Sequence, residues 1–132
     1  MVGALKISGM QVVYPYDGPV DAQRFNDFIE YRLKPHLGPN DVIIMDNCRV
    51  HHAKIVFEKL QELSIDALFM PPYSPELNPI EECWSAIKAK LRKKKARNIP
   101  DYLDGLMDAK QSIDGEKGKG FFKHAALFES FC

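Results

Sequence analysis

The sequence predicts a mixed α/β layer fold, and three observations carry that prediction. Residues 41–45 and 67–70 are short apolar runs bounded by turn formers, the pattern of buried strands. Between them, Ala53, Val56, Phe57, Leu60 and Leu63 recur at helical spacing over residues 50–63. Strand, helix, strand at this length is a βαβ unit, which implies parallel pairing and a right-handed crossover.

The remaining elements follow in chain order. Residues 4–7 and 11–16 read as two short strands joined at Ser8 and Gly9 and closed by Asp17, Gly18 and Pro19, which suggests an antiparallel hairpin. Asp21 can cap a helix running to about Leu33, with Phe25, Phe28, Ile29 and Leu33 on one face. Pro35, Gly38 and Pro39 end it. After the βαβ unit, residues 71–79 hold four prolines and must form a stiff loop. Asn78, Pro79 and Glu81 fit the N-cap, N1 and N3 positions of a helix whose apolar stripe is Ile80, Cys83, Trp84, Ile87 and Leu91. A further helix is expected over residues 100–113, a flexible break over 115–120, and an aromatic-rich closing element over 121–131. The predicted order is β-β-α-β-α-β-α-α.

Composition bounds what such a fold does. The 132 residues suit one compact domain. Hydrophobic residues make up 45% and charged residues 27%, the balance of a folded chain rather than a disordered one. Formal net charge is zero, so only the local distribution of charge can point to nucleic acid. No apolar run reaches the roughly 18–20 residues needed to span a bilayer. Residues 1–10 lack the basic and apolar segments of a secretion signal. The cysteines, Cys48, Cys83 and Cys132, are odd in number and without paired spacing, which fits a reducing compartment. A soluble intracellular domain with no membrane partner is expected.

Chemistry concentrates at two acids. Asp46 directly follows the strand at 41–45, and in open α/β sheets functional groups gather at the carboxyl ends of parallel strands. Glu81 lies in the first turn of the helix after the next strand, where its carboxylate can reach the same edge. Paired carboxylates suit hard cations such as Mg²⁺ or Mn²⁺. Two such ions can clamp the attacking and leaving oxygens of a phosphodiester displacement. The plainer alternative is that Asp46 and Asn47 form a turn and Glu81 completes a capping box with Asn78. Cys48 and His51 are spaced to seed a zinc site, but no second pair is in view. Residues 88–97 hold seven basic side chains and no acid: Lys88, Lys90, Arg92, Lys93, Lys94, Lys95 and Arg97. They read either as a solvated helix face or as a phosphate track beside the acids.

Two longer strings narrow these alternatives. Asp46-Asn47-Cys48-Arg49-Val50-His51 and Pro71-Pro72-Tyr73-Ser74-Pro75-Glu76-Leu77-Asn78-Pro79-Ile80-Glu81, with Trp84 just beyond, resemble the second and third catalytic blocks of mariner-superfamily transposases and their bacterial insertion-sequence relatives. Those enzymes carry Asp-Asn, a His five positions after the Asp, and later a Pro-Tyr-Ser-Pro-acid-Leu-Asn-Pro-Ile-Glu stretch. The 34 residues between Asp46 and Glu81 also match their pattern. The likeness extends from Gly3 to about Arg97. Glu82 is the adjacent competitor, and the spacing favours Glu81.

The resemblance implies a ribonuclease H-like mixed sheet with flanking helices, the C-terminal portion of an Asp-Asp-Glu (DDE) endonuclease domain with its first strand missing. Residues 1–132 are then a partial catalytic domain, with a core at 3–97 and a helical tail at 98–132. It further implies Asp46 and Glu81 as catalytic metal ligands, with Asn47 and His51 supporting them. Mg²⁺ or Mn²⁺ is the cofactor, DNA (transposon ends and target) the partner, and a homodimer the assembly. The function implied is DNA transposition and integration. The family's first catalytic Asp lies on an opening strand, and Asp17 and Asp21 are in the wrong places to replace it. It is expected upstream of Met1, so the chain alone should be weak or inactive. Bacterial cytoplasm and eukaryotic nucleus both remain open. Two competing expectations are a non-catalytic remnant that binds DNA or dimerises, and a different ribonuclease H-like nuclease.

Overall fold

A hairpin opens the chain: β1 (Val2–Lys6) and β2 (Gly9–Tyr14) pair across Ile7 and Ser8. A two-residue connection permits only antiparallel strands. Gly9 makes the turn at φ +121, a conformation that L side chains rarely adopt. The computed structural model describes residues 1–72 and 77–125. It divides into two units, one of residues 1–3 and 12–75, the other of residues 4–11 and 76–132. The architecture is mixed α/β, as predicted.

In the first unit, Asp21 caps α1 (Ala22–Asp27), its carboxylate accepting the Arg24 N–H at 2.8 Å. The helix widens into a π-type segment, Phe28–Leu33, and tightens to a 3-10 turn at Lys34–His36 around Pro35. β3 (Val42–Met45) and β4 (Asp66–Phe69) pair in parallel, Met45 opposite Phe69. α2 (Lys54–Glu62) connects them, completing the predicted βαβ unit. It starts later than the periodicity suggested, because Ala53 is extended (φ −63, ψ 140) and splits off a 3-10 turn at Arg49–His52. Its other end is a Schellman closure. Ser64 is left-handed (φ 56), and the Ile65 N–H reaches the Leu60 carbonyl at 2.9 Å.

α1 packs on α2, and Phe25, Val56 and Leu60 are buried with Phe28 and Ile29 of the π-type segment. Asn26 ties the pair by donating to the Ile55 carbonyl at 3.0 Å. The strands are less buried than their apolar composition predicted: Met45 and Met70 are covered, but Val42 is 47% and Leu68 57% exposed. Among the described residues the parallel sheet is only two strands wide, too narrow to be enclosed on both faces.

The second unit is built on α3 (Pro79–Lys94), α4 (Ile99–Ser112) and α5 (Gly115–His124). Each has a side-chain cap on a backbone N–H: Asn78 accepts from Ile80, Asn98 from Asp101, and Asp114 from Lys117. Cys83, Ile87, Leu106, Ala109 and Ile113 form the core. Trp84, expected there, is only half-buried. The expected flexible break at 115–120 is helical instead. Asp114 supplies the cap, and the glycines allow close approach: a Cβ on Gly118 would meet the Ile7 carbonyl oxygen at 2.5 Å. Gly118 thus seats α5 on the hairpin turn, beside which the Met10 N–H bonds the Ile113 carbonyl at 3.0 Å. Much of the closing aromatic element, residues 126–131, lies outside the described residues, as do residues 73–76 of the proline-rich loop.

Candidate functional site

Asp46 emerges where the parallel ladder ends. The last backbone rung joins the Met70 N–H to the Met45 carbonyl at 2.8 Å, and the next residue is the acid. One carboxylate oxygen, Oδ1, is held twice: the Cys48 N–H donates at 2.9 Å and His51 Nδ1 lies 2.9 Å away. His51 Nδ1 also lies 3.2 Å from the Asp46 carbonyl, and its ring packs on Phe25 with centroids 4.8 Å apart. Among the described residues Oδ2 takes no protein hydrogen bond, and the Asp46 side chain is 44% exposed. One oxygen is therefore fixed and the other is open to an incoming ligand.

Asn47 points back across the ladder and donates through Nδ2 to the Met70 carbonyl at 2.7 Å. His52 Nε2 lies 3.0 Å from Asn47 Oδ1, and its ring stacks on Phe69 at 4.1 Å with 12° between planes. His52 is exposed, and the sequence did not single it out. The signal it carried was spacing: His51 follows Asp46 by five positions and His52 follows Asn47 by five. Both histidines lie in the 3-10 turn Arg49–His52, which ends at the extended Ala53 and projects the two rings to different partners.

Glu81 sits in the first turn of α3, within the second unit. The alternative, a capping box with Asn78, is not seen among the described residues: Asn78 Oδ1 accepts from Ile80 at 3.3 Å, and the Glu81 carboxylate is exposed and takes no partner there. Glu82 is engaged, with His124 Nδ1 at 3.0 and 3.1 Å from its two oxygens. Of the two neighbouring acids, Glu81 is therefore the one left available. A carboxylate in a first helical turn is also favoured by the helix dipole.

The basic residues after Glu81 are all exposed but do not share one role. Lys88 and Arg92 continue the solvent face begun by Glu81 and Ser85, at spacings of four, three and four. Lys90 and Lys93 lie elsewhere around the helix. Lys95 is the left-handed C-cap (φ 50), and Arg97 follows it. Lys94 lies over α4, where a Cβ on Gly105 would meet its Cδ at 2.9 Å and its ammonium faces Asp108 at 3.7 Å. Lys94 thus helps dock α4.

Among the described residues, Cys48 and Cys83 join no cluster that could hold a metal. Burial pushes the Cys83 thiol up to about 11, so it is a protonated, packed group at neutral pH. Cys48 is exposed, and among the described residues no cluster of three or more His, Cys, Asp or Glu that could hold a metal joins it and His51. No helix of the described residues is long and apolar enough to cross a membrane.

Comparison with known families bears on the chain as a whole. The family model described as DDE superfamily endonuclease matches residues 1–102, and the chain belongs to that family. Endonucleases of this superfamily use divalent metal ions. Two curated relatives come from Caenorhabditis briggsae. The transposable element Tcb2 transposase is 29% identical over 115 residues, covering 84% of this chain and 42% of its own length. The Tcb1 transposase is 29% identical over 100 residues, covering 73% of this chain and 37% of its own. The chain therefore spans less than half the length of these relatives.

Proposed function

We propose that the chain is the C-terminal portion of a ribonuclease H-like DDE transposase catalytic domain. In the complete enzyme, Asp46 and Glu81 are metal-binding carboxylates for DNA cleavage and strand transfer. Residues 3–97 would form its core and 98–132 a helical tail. The observation that carries the proposal is the pair of acids: among the described residues, Asp46 has one oxygen braced and one without a partner, and Glu81 has none where Glu82 is engaged. An all-oxygen donor set of this kind fits Mg²⁺ or Mn²⁺. Bound there, such ions supply water activation and charge neutralisation at the transferred phosphate. His51 and the Cys48 N–H hold Asp46 against rotation. Lys88 and Arg92 lie along the face that starts at Glu81 and would carry DNA phosphates without reading sequence. The remaining basic residues would add to the local positive field. DNA at the transposon ends and target, and a second copy of the protein, are the partners proposed.

Metal binding can be read directly, without activity. Mn²⁺ added to the labelled chain is expected to broaden the amide signals of residues 46–48 and 80–82 with one shared midpoint. Glu81→Gln should weaken both effects, whereas Glu82→Gln should leave them nearly unchanged. Equal responses from the two glutamates, or broadening confined elsewhere, would remove the site.

A second measurement tests the phosphate track. Each of Lys88→Ala and Arg92→Ala should lower the slope of log affinity for duplex DNA against log salt by about one. Lys94→Ala should change it less, because that ammonium already faces Asp108. A larger loss at Lys94 than at Lys88 would redraw the surface.

A further inference from the structure

His51 and His52 are adjacent, yet each braces a different residue of the strand-end loop. His51 holds Asp46, while His52 reaches Asn47, whose other end holds β4. The Asn47 amide is oriented by its partners. Its Nδ2 must face the Met70 carbonyl, which can only accept, so Oδ1 faces His52. His52 must then donate from Nε2, which fixes the proton on that nitrogen. Phe69, opposite Met45 in the ladder, holds the ring flat at 4.1 Å.

We propose that His52 is a positioning residue for Asp46, acting through Asn47. Backbone pairing of β3 with β4 stops at Met70 N–H to Met45 carbonyl, one residue before the acid. The Asn47 side chain adds one more rung beyond that point, to the carbonyl of the same Met70. Asp46 is thereby flanked on both sides by links to β4, and its backbone cannot swing while both hold. Without a donor at position 52, Asn47 Oδ1 turns to water and the added rung is lost. His52 itself need touch neither metal nor DNA. A group that aims a ligating carboxylate in this way commonly changes metal affinity by one to two orders of magnitude.

The role rests on Asp46 being a metal-binding carboxylate, so the test keeps the two apart. Three variants of the chain are compared: His52→Ala removes donor and stack, His52→Gln restores an amide donor, and His52→Phe restores only the stack. Two signals are followed by nuclear magnetic resonance: exchange protection of the Asn47 side-chain amide, and the Mn²⁺ midpoint at residues 46–48. The expectation is that His52→Ala exposes the Asn47 amide and raises the Mn²⁺ midpoint about tenfold. His52→Gln should recover most of both, and His52→Phe neither. The proposal is overturned if His52→Ala leaves both signals as in the parent, or if His52→Phe rescues as well as His52→Gln, which would make the ring a packing group. If parent and Asp46→Asn respond to Mn²⁺ alike, the metal reading has failed. The rung then stands or falls on the Asn47 amide alone.

Discussion

Replacing Asp46 with Asn, in an enzyme carrying all three acids, is expected to cut metal-dependent DNA cleavage by about 10³-fold and leave the fold intact. The size follows from what a metal ligand does: the ion's stabilisation of transferred charge is worth several kcal/mol, and each ~1.4 kcal/mol is tenfold in rate. The intact fold follows from geometry. An Asn carbonyl oxygen can occupy the position of Oδ1 and still accept from the Cys48 N–H, 2.9 Å away, and from His51. What is lost is negative charge at the open oxygen, replaced by an NH₂ that repels a cation. Cleavage assays with Mg²⁺, beside thermal melts of parent and variant, separate the two effects. Retained cleavage would exclude Asp46 from the reaction. An equal fall in melting temperature and activity would reduce it to a structural turn.

Much of this arrangement was legible before any coordinates. The βαβ unit showed itself through period: 3.6 over residues 50–63, flanked by two runs too short for helices. The caps at Asp21 and Asn78 were equally plain, because Asp and Asn before an apolar run have one common local use. Asp46 was marked by its place after a strand, and Glu81 by the extended string that ends on it. Each of these features depends on neighbours within a few residues.

What sequence did not disclose depends on contacts between distant residues or on backbone angles that composition barely constrains. Ala53 gives no hint that it is extended, yet its ψ of 140 separates the 3-10 turn carrying His51 and His52 from α2. Glu81 and Glu82 are chemically equivalent in the sequence. Spacing alone favoured Glu81, and nothing in the sequence showed that His124, on α5, engages Glu82. Lys94 reads as one more base in a run, and its stem is committed to α4 only because Gly105 leaves room for it. The glycines at 115, 118 and 120 weigh against a helix by propensity, so the break expected there was a reasonable inference from local terms. Tertiary packing against the hairpin turn decided otherwise.

That packing sets the second large expectation: Gly118→Ala should destabilise the second unit by about 1–2 kcal/mol, although Ala is the better helix former. Two effects of opposite sign compete. Ala in place of Gly inside a helix gains roughly 1 kcal/mol from reduced backbone freedom in the unfolded chain. Against this, the new methyl would lie 2.5 Å from the Ile7 carbonyl oxygen, 2.9 Å from the Lys6 carbonyl oxygen and 2.9 Å from the Gly9 N. All three are backbone atoms of a tight turn, so none can rotate away as a side-chain tip would. Overpacking against such rigid neighbours typically costs 1–3 kcal/mol or more, and relief requires α5 to lift off the hairpin. Gly120 provides the matched control, since a Cβ there meets nothing within 4 Å. Gly120→Ala keeps only the favourable term and should stabilise by up to about 1 kcal/mol. Trp84, the single tryptophan, lies on α3 in the same unit and reports urea unfolding by its fluorescence. Opposite shifts of the midpoint for the two alanines mean that α5 is seated on the turn through Gly118. Equal stabilisation by both would show that the helix forms without that seat.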